Sequence, residues 1–208
     1  MSKHRWIPWV IAVILVVTFG FMPPERHLGR LLIPIYIHGA LIRTGILLFI
    51  LGAAIGIWVL FQDRPVLWAW VDALQWTALA AWVLGFVVSF YPSYVTWGMP
   101  IAWDEPRTRM VVQIVVVAII VFGVSQWLGE RWLKAGASVV MGVLTLLLVW
   151  RTGVIRHPID PIGSSPSTAM RLAYLVVLLG FLVWALWTAD YLVSRSLYRS
   201  EESGSLNS

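Results

Sequence analysis

The chain has 208 residues, of which 60% are hydrophobic and only 12% charged, and its mean hydropathy is +0.83. That leaves too little polar surface to solvate a globular exterior, which excludes a water-soluble domain and marks an integral membrane protein. The formal charge of +5 does not signal nucleic acid, because the 15 basic residues are scattered through short connections and form no groove-lining cluster; the absence of cysteine excludes disulfides and thiolate metal ligation.

Crossing roughly 30 Å of hydrocarbon takes about 20 helical residues, and apolar runs of that order occur at 6–22, 32–61, 66–91, 109–128, 132–150 and 170–193. The runs are continuously apolar, without the period-2 alternation of a barrel wall, so they predict helices. The expected fold class is all-α: a polytopic membrane protein with six transmembrane helices in a single domain over 1–193, followed by a polar, mobile tail over 194–208. The first run follows Lys3, His4 and Arg5, as a signal peptide would. It ends at Met22, Pro23 and Pro24 without a small-residue cleavage site, and is therefore read as a retained helix.

Helix parity brings three features to one face. His38 lies near the start of the second run, the Trp97–Thr108 segment follows the third, and His157 follows the fifth, so all share the face on which the second helix begins. Lysine and arginine divide evenly between the two faces, and charge alone does not set the orientation. Both lysines, Lys3 and Lys134, fall on the amino-terminal face. The opposite face carries only arginine, the better residue for bidentate carboxylate recognition.

His38 sits between Tyr36-Ile37 and Gly39-Ala40, where apolar neighbours exclude water and Gly39 lets a flat ligand approach the backbone. His157 sits between Arg156 and Pro158, just past the fifth helix. A lone histidine in an apolar helix is usually a packed or hydrogen-bonded residue. Two neutral imidazoles on one face, however, can clamp a metalloporphyrin from both axial sides. His4 falls on the opposite face, and His27 is a weaker alternative on the same one.

The connecting stretch from Tyr91 to Thr108 is aromatic, kinked and partly charged. Gly98, Pro100 and Pro106 predict a compact turn carrying Asp104, Glu105 and Arg107 among Trp97 and Trp103. Rings at this depth commonly form an interfacial belt. They also offer stacking area to a flat apolar ligand, while arginines pair with its carboxylates.

In this order, Tyr36-Ile37-His38 with Ala40, then Trp97-Gly98, Trp103-Asp104 and Thr108, then Trp150-Arg151-Thr152 followed by His157-Pro158, resemble the histidine motifs and tryptophan-rich loop of the cytochrome c maturation protein C family. Asp160-Pro161, Ser165-Pro166 and Arg171 extend the similarity into the sixth helix. The resemblance implies a protein that receives haem b, holds it non-covalently and transiently at the outer face of the inner (cytoplasmic) membrane, and passes it to a haem chaperone during cytochrome c biogenesis. It implies His38 and His157 as axial ligands to the iron, with Trp97, Gly98, Trp103 and Asp104 holding the porphyrin and the outer-face arginines, Arg107 among them, facing its propionates. It further implies a cytoplasmic amino terminus, motif loops toward the periplasm, and other maturation subunits, including an ABC-type ATPase complex, as partners. The family's loop is richer in tryptophan, its basic residue lies one position nearer the aspartate than Arg107 does, and Gly153 to Arg156 form a longer insert before His157.

The chain offers no acid/base pair or activated nucleophile, so binding and transfer, rather than bond-making catalysis, is the expectation. It has no nucleotide-binding loop, so any ATPase is another chain. Arg43 is the costliest residue to place, since a charge within a span costs at least a few kcal/mol unless paired or hydrated. It is about 140° around the helix from His38 and roughly 7.5 Å deeper. A pair with Asp72 on the third helix, snorkelling, or contact with a ligand or partner subunit would each account for it. Two other classes share such a sequence. One is a haem-bearing membrane anchor of a respiratory complex, which places its histidines within spans; the other is a transporter permease subunit, in which Arg43 would line the substrate path.

Overall fold

The computed structural model describes residues 4–25, 28–156, 162–163 and 165–206, those at 200, 201 and 203–206 by backbone alone. It contains α1 (Ile7–Phe21), α2 (Leu32–Val59), α3 (Pro65–Trp97), α4 (Pro106–Leu128), α5 (Arg131–Arg151) and α6 (Thr168–Leu206). The protein is an all-α polytopic membrane protein. Helices α2 to α6 are long and apolar enough to cross a bilayer, whereas α1 has 15 residues and is about 22 Å long, short of the roughly 30 Å of hydrocarbon. Pro65 and Pro106 open α3 and α4 at positions where a missing N–H costs nothing.

Helix α2 is the hub and packs on α3, α5 and α6. Without a hydrophobic drive between helices in lipid, association depends on close van der Waals fit, and here small residues supply it. A Cβ at Gly142 of α5 would lie 2.5 Å from the Ala53 Cβ and 2.9 Å from the Phe49 carbonyl oxygen of α2. The two helices run antiparallel in a fixed register, with Gly56 against Ala135, Gly52 against Ser138 and Phe49 against Gly142. Extended by that register, Trp150 on α5 reaches the level of Leu41 on α2. Phe49, Trp82, Ile114, Phe122 and Met141 fill the main core between α2, α3, α4 and α5. A second cluster joins Ile11 and Leu15 of α1 to Tyr36 and Ala40 of α2 and to Tyr174 and Val177 of α6.

The exposed rings of Trp132 and Trp150 flank α5, about 27 Å apart by helical rise, which matches an aromatic belt at each edge of the hydrocarbon. The edge marked by Trp150 therefore passes near Leu41. A Cβ at Gly85 of α3 would lie 3.1 Å from the Leu41 Cβ, so Gly85 sits at the same height. The rest of α3, to Trp97, stands about 18 Å beyond it.

At the opposite end, Asp72 accepts hydrogen bonds from the Lys134 Nζ (3.1 Å) and the Gln126 Nε2 (2.8 Å). The amide of Gln75 donates to the Lys134 carbonyl (2.7 Å) and the Ser138 hydroxyl (2.8 Å). These bonds compensate polar groups taken into the bilayer; the partners of Asp72 are Lys134 and Gln126, not Arg43, whose pairing with it was one of the accounts open from the sequence. Arg43 is itself exposed, between the half-buried Ile42 and the buried Thr44 of α2, near the edge marked by Trp150, its guanidinium 5.0 Å from the Tyr174 ring centroid. Side chains on a helix lean toward its N-terminus, here toward the nearer membrane surface, so the arrangement is that of a snorkelling arginine.

Two boundaries differ from expectation. Helix α3 continues through Pro92 to Trp97, where the proline and its neighbours predict a loop from Tyr91 onward. An edge-on contact of Phe86 with Phe90 (4.9 Å) stacks the preceding turns, and the Thr96 hydroxyl donates to the Pro92 carbonyl (2.6 Å) in the next. Helix α6 runs on to Leu206, so the segment from Ser194, expected as a mobile tail, is helical over most of its length. Val193 and Leu197 still pack in the cluster that contains Ala69 and Trp70 of α3, which gives that part of the helix a surface to bury.

The α2/α5 contact is testable by adding one methyl group. Gly142→Ala places it against a Cβ and a backbone oxygen that have no rotamer to yield, and overpacking of this kind costs about 1–3 kcal/mol. Gly136→Ala on the same helix meets nothing within 4 Å. Thermal unfolding in detergent is expected to show a lowered Tm for the first variant alone; equal values would refute the packing argument.

Candidate functional site

His38 lies in the second turn of α2, half-buried, with Nδ1 2.8 Å from the Gly85 carbonyl oxygen. A carbonyl only accepts, so Nδ1 carries the proton, and in the neutral ring the lone pair is on Nε2. The close approach of α2 to α3 at Gly85 makes this bond possible: a side chain there would press on Leu41 and Ile42. Gly39 does not open α2 to a flat ligand as its sequence position suggests. The Tyr174 hydroxyl lies 3.4 Å from where a Gly39 Cβ would be, so α6 fills that side. Tyr36, one turn before Ala40, donates its hydroxyl to the Met170 carbonyl (3.1 Å) and meets Tyr174 edge-on.

Of the Trp97–Thr108 segment, only residues 98–105 are non-helical. Trp97 is the half-buried last residue of α3. Gly98 caps it with φ 74°, a left-handed conformation suited to glycine, and its N–H bonds back to the Tyr94 carbonyl (2.9 Å). Trp103 and Asp104 are exposed on the returning limb, and Pro106, Arg107 and Thr108 form the first turn of α4.

The next residue of the loop, Glu105, is 1% exposed. It stands at the N-cap of α4 yet does not cap that helix with its side chain. Its carboxylate instead reaches across to the segment after α5, accepting the backbone N–H of Ile155 (3.2 Å) and that of Arg156 (2.8 Å). Arg156 completes the junction. Its guanidinium pairs with the Asp104 carboxylate through Nη2 and through Nε (3.0 Å), and lies 5.7 Å from the centroid of the Trp97 ring, within cation–π range. One arginine thus joins the end of α3, the returning loop and the segment leading to His157.

The structure therefore brings His38, Trp97, Gly98, Trp103, Asp104 and Arg107 to one end of the bundle, as parity requires, and ties the 155–156 segment to the loop. His157 itself, with His27, Asp160 and Pro161, lies outside the described residues. His4 is at the other end, where its carbonyl accepts from the Trp187 indole (3.1 Å). Nothing in the sequence marks Glu105 and Arg156 as parts of this junction, or Gly85 as the partner of His38, because each partner is far along the chain.

Neither a scan of protein-family models nor a search of curated proteins gives a match to this chain.

The hydrogen bond from Arg156, outweighing the desolvation of the carboxyl, holds Asp104 below the usual aspartate range. The sign follows from linkage: the pair contributes at pH values above the ordinary carboxylate pKa, and the contribution is lost as pH falls through the depressed folded value. Carbon-13 NMR titration of the Asp104 carboxyl is expected to show a midpoint below that of a model aspartate, rising when Arg156 is replaced by Ala. A midpoint indifferent to that substitution would contradict the assignment.

Proposed function

We propose that this protein binds haem at the outer end of the bundle and hands it on, as a delivery component of cytochrome c biogenesis. The observation that carries the reading is the His38–Gly85 hydrogen bond. A histidine that ligates a metal characteristically gives its other ring proton to a carbonyl or carboxylate, which fixes the tautomer, orients the ring and raises the basicity of the coordinating nitrogen. His38 has that polarity, with Nε2 as the donor atom for iron. His38 and His157 would hold the iron, Trp97 and Trp103 the macrocycle, and Arg107 a propionate.

The position of His38 supports delivery over electron transfer. It lies in the second turn of α2, near the edge of the hydrocarbon marked by Trp150, where a ligand can be exchanged with a partner outside the membrane; a respiratory anchor keeps its haem ligands deeper within the spans. In this reading the motif end faces the periplasm from the inner membrane, and the partners are a haem chaperone and other maturation subunits, with any ATPase supplied by another chain. The chain contributes binding, orientation and release rather than bond-making groups. Two imidazoles, from His38 and His157, would supply the nitrogen donors that hold the iron, and hand-over would need one of the two histidines to let go.

The test is the visible spectrum of the purified protein in detergent, as isolated from haem-supplied cells and after titration with ferric haemin. The expected result is a six-coordinate low-spin spectrum. His38→Ala and His157→Ala would each convert it to a high-spin form and weaken retention by about tenfold or more, the loss that even outer-shell partners of a ligand produce. An unmutated protein that takes up no haem would sink the proposal, and retention indifferent to both substitutions would reject these ligands.

A further inference from the structure

We propose that the lipid-facing surface of α4 is the interface between two copies of this chain, paired through Gln113 and packed closely at Gly123. The proposal does not rest on the haem reading.

Helix α4 packs on α3 and α5 and turns its remaining face outward. Gln113 lies on that face, exposed. Its depth follows from neighbouring contacts. The Trp82 indole donates to the Val111 carbonyl (3.2 Å), and Trp82 stands three residues nearer the bilayer centre than Gly85, which sits at the edge marked by Trp150. Val111 is therefore about 4.5 Å inside the hydrocarbon, and Gln113, two residues further along α4, about 7.5 Å inside it. The count from the opposite edge agrees. Gln113 is about 21 Å by helical rise from the exposed Trp127 beside the α4–α5 connection, which leaves about 9 Å of a hydrocarbon layer roughly 30 Å thick.

An amide at that depth has no water to bond with and is costly unless another polar group meets it. Among the described residues Gln113 has no hydrogen-bond partner. Polar side chains placed so are the ones that hold membrane helices together by bonding across their interface. The rest of the face suits such a contact. Gln113, Val116, Ile120, Gly123 and Trp127 follow one another at steps of three, four, three and four, the seam spacing of two helices crossing at a shallow left-handed angle. Val116 and Ile120 are exposed. A Cβ at Gly123 would meet nothing within 4 Å, so a second backbone can come close there.

The chemistry of Gln113 selects a second copy as the occupant. Copies of one protein enter a bilayer in the same orientation, so a two-fold axis relating them runs along the membrane normal and sets each residue of α4 against its own counterpart at equal depth. A primary amide is self-complementary: each Gln113 donates an N–H to the other's carbonyl oxygen and accepts one in return. A different helix would need a polar group at that depth on its own lipid-facing side. Arg109, exposed one turn nearer the headgroups, would also approach its counterpart. Its side chain leans toward the N-terminus of α4, into the headgroup layer, where the two charges can part.

The test uses the full chain in phosphatidylcholine vesicles. The sequence has no cysteine, so single cysteines report proximity without background. Under mild oxidation Ile120→Cys is expected to give a disulfide-linked dimer, and Leu175→Cys, exposed on α6, is expected not to. Energy transfer between copies carrying donor or acceptor fluorescent proteins at the carboxyl terminus, followed as lipid is added, gives the dissociation constant. Gln113→Leu keeps the bulk and removes the amide; it is expected to weaken the dimer about tenfold, the order of two interhelical hydrogen bonds. Gln113→Asn keeps an amide and should lose less, and Gly123→Leu should weaken the dimer as well. A wild-type chain that stays monomeric at high protein-to-lipid ratio overturns the proposal, as does a dimer indifferent to Gln113→Leu. Equal cross-linking at Ile120→Cys and Leu175→Cys also overturns it, and because that pair leaves Gln113 in place it decides even if a Gln113 variant fails to fold. Cross-linking of Ile120→Cys in cell membranes to another protein, with no dimer of its own, refutes self-pairing too.

Discussion

Burying one carboxylate determines much of how the loop-bearing end of this bundle is built. Glu105 is out of water, and the hydrogen bonds that compensate it come from backbone about fifty residues away. A buried donor or acceptor left without a partner costs about 1–3 kcal/mol, and more if charged, so the loop after α3 and the segment after α5 cannot drift apart independently. The start of α4, the end of α5 and the tip of α3 become one unit. Arg156 reinforces it from outside with its contacts to Asp104 and Trp97.

Below that unit the helices are held by fit. Close approach of α2 to α5 at Gly142 and of α2 to α3 at Gly85 sets the heights of the helices relative to one another. From those heights follow the placement of His38 near one edge of the hydrocarbon and the reach of α3 beyond it. The same close approach puts the Gly85 carbonyl beside the His38 imidazole. A packing constraint therefore selects a histidine tautomer, and the chemistry available at Nε2 depends on a glycine in the neighbouring helix.

Much of the helical layout is legible in the sequence, because apolar runs of membrane-spanning length and the prolines and glycines that bound them act locally. Parity then brings His38 and the tryptophan-containing loop to the same end without tertiary information. What escapes is whatever depends on partners distant along the chain. Pro92 reads as a helix end, yet α3 runs through it. Arg43 and Asp72 read as a plausible pair, but they sit near opposite edges of the bilayer, and the register that separates them is fixed by contacts between helices. Gly39 reads as an open surface and is covered by Tyr174. Glu105 reads as one of three charged residues carried among the rings of a compact turn, and is among the most buried of the described residues.

The adjacent acids Asp104 and Glu105 show how burial divides similar groups into different roles. Asp104 meets a guanidinium in a setting open to water, where salt screens the attraction and a mobile side chain can leave and return. Glu105 meets peptide N–H groups in a closed setting, where nothing replaces its partners if they part. Raising ionic strength would therefore loosen Arg156 from Asp104 long before it touched the hold on the backbone. The junction combines a part that responds to its surroundings with a part that does not, and the backbone at Ile155 and Arg156 is held by the second.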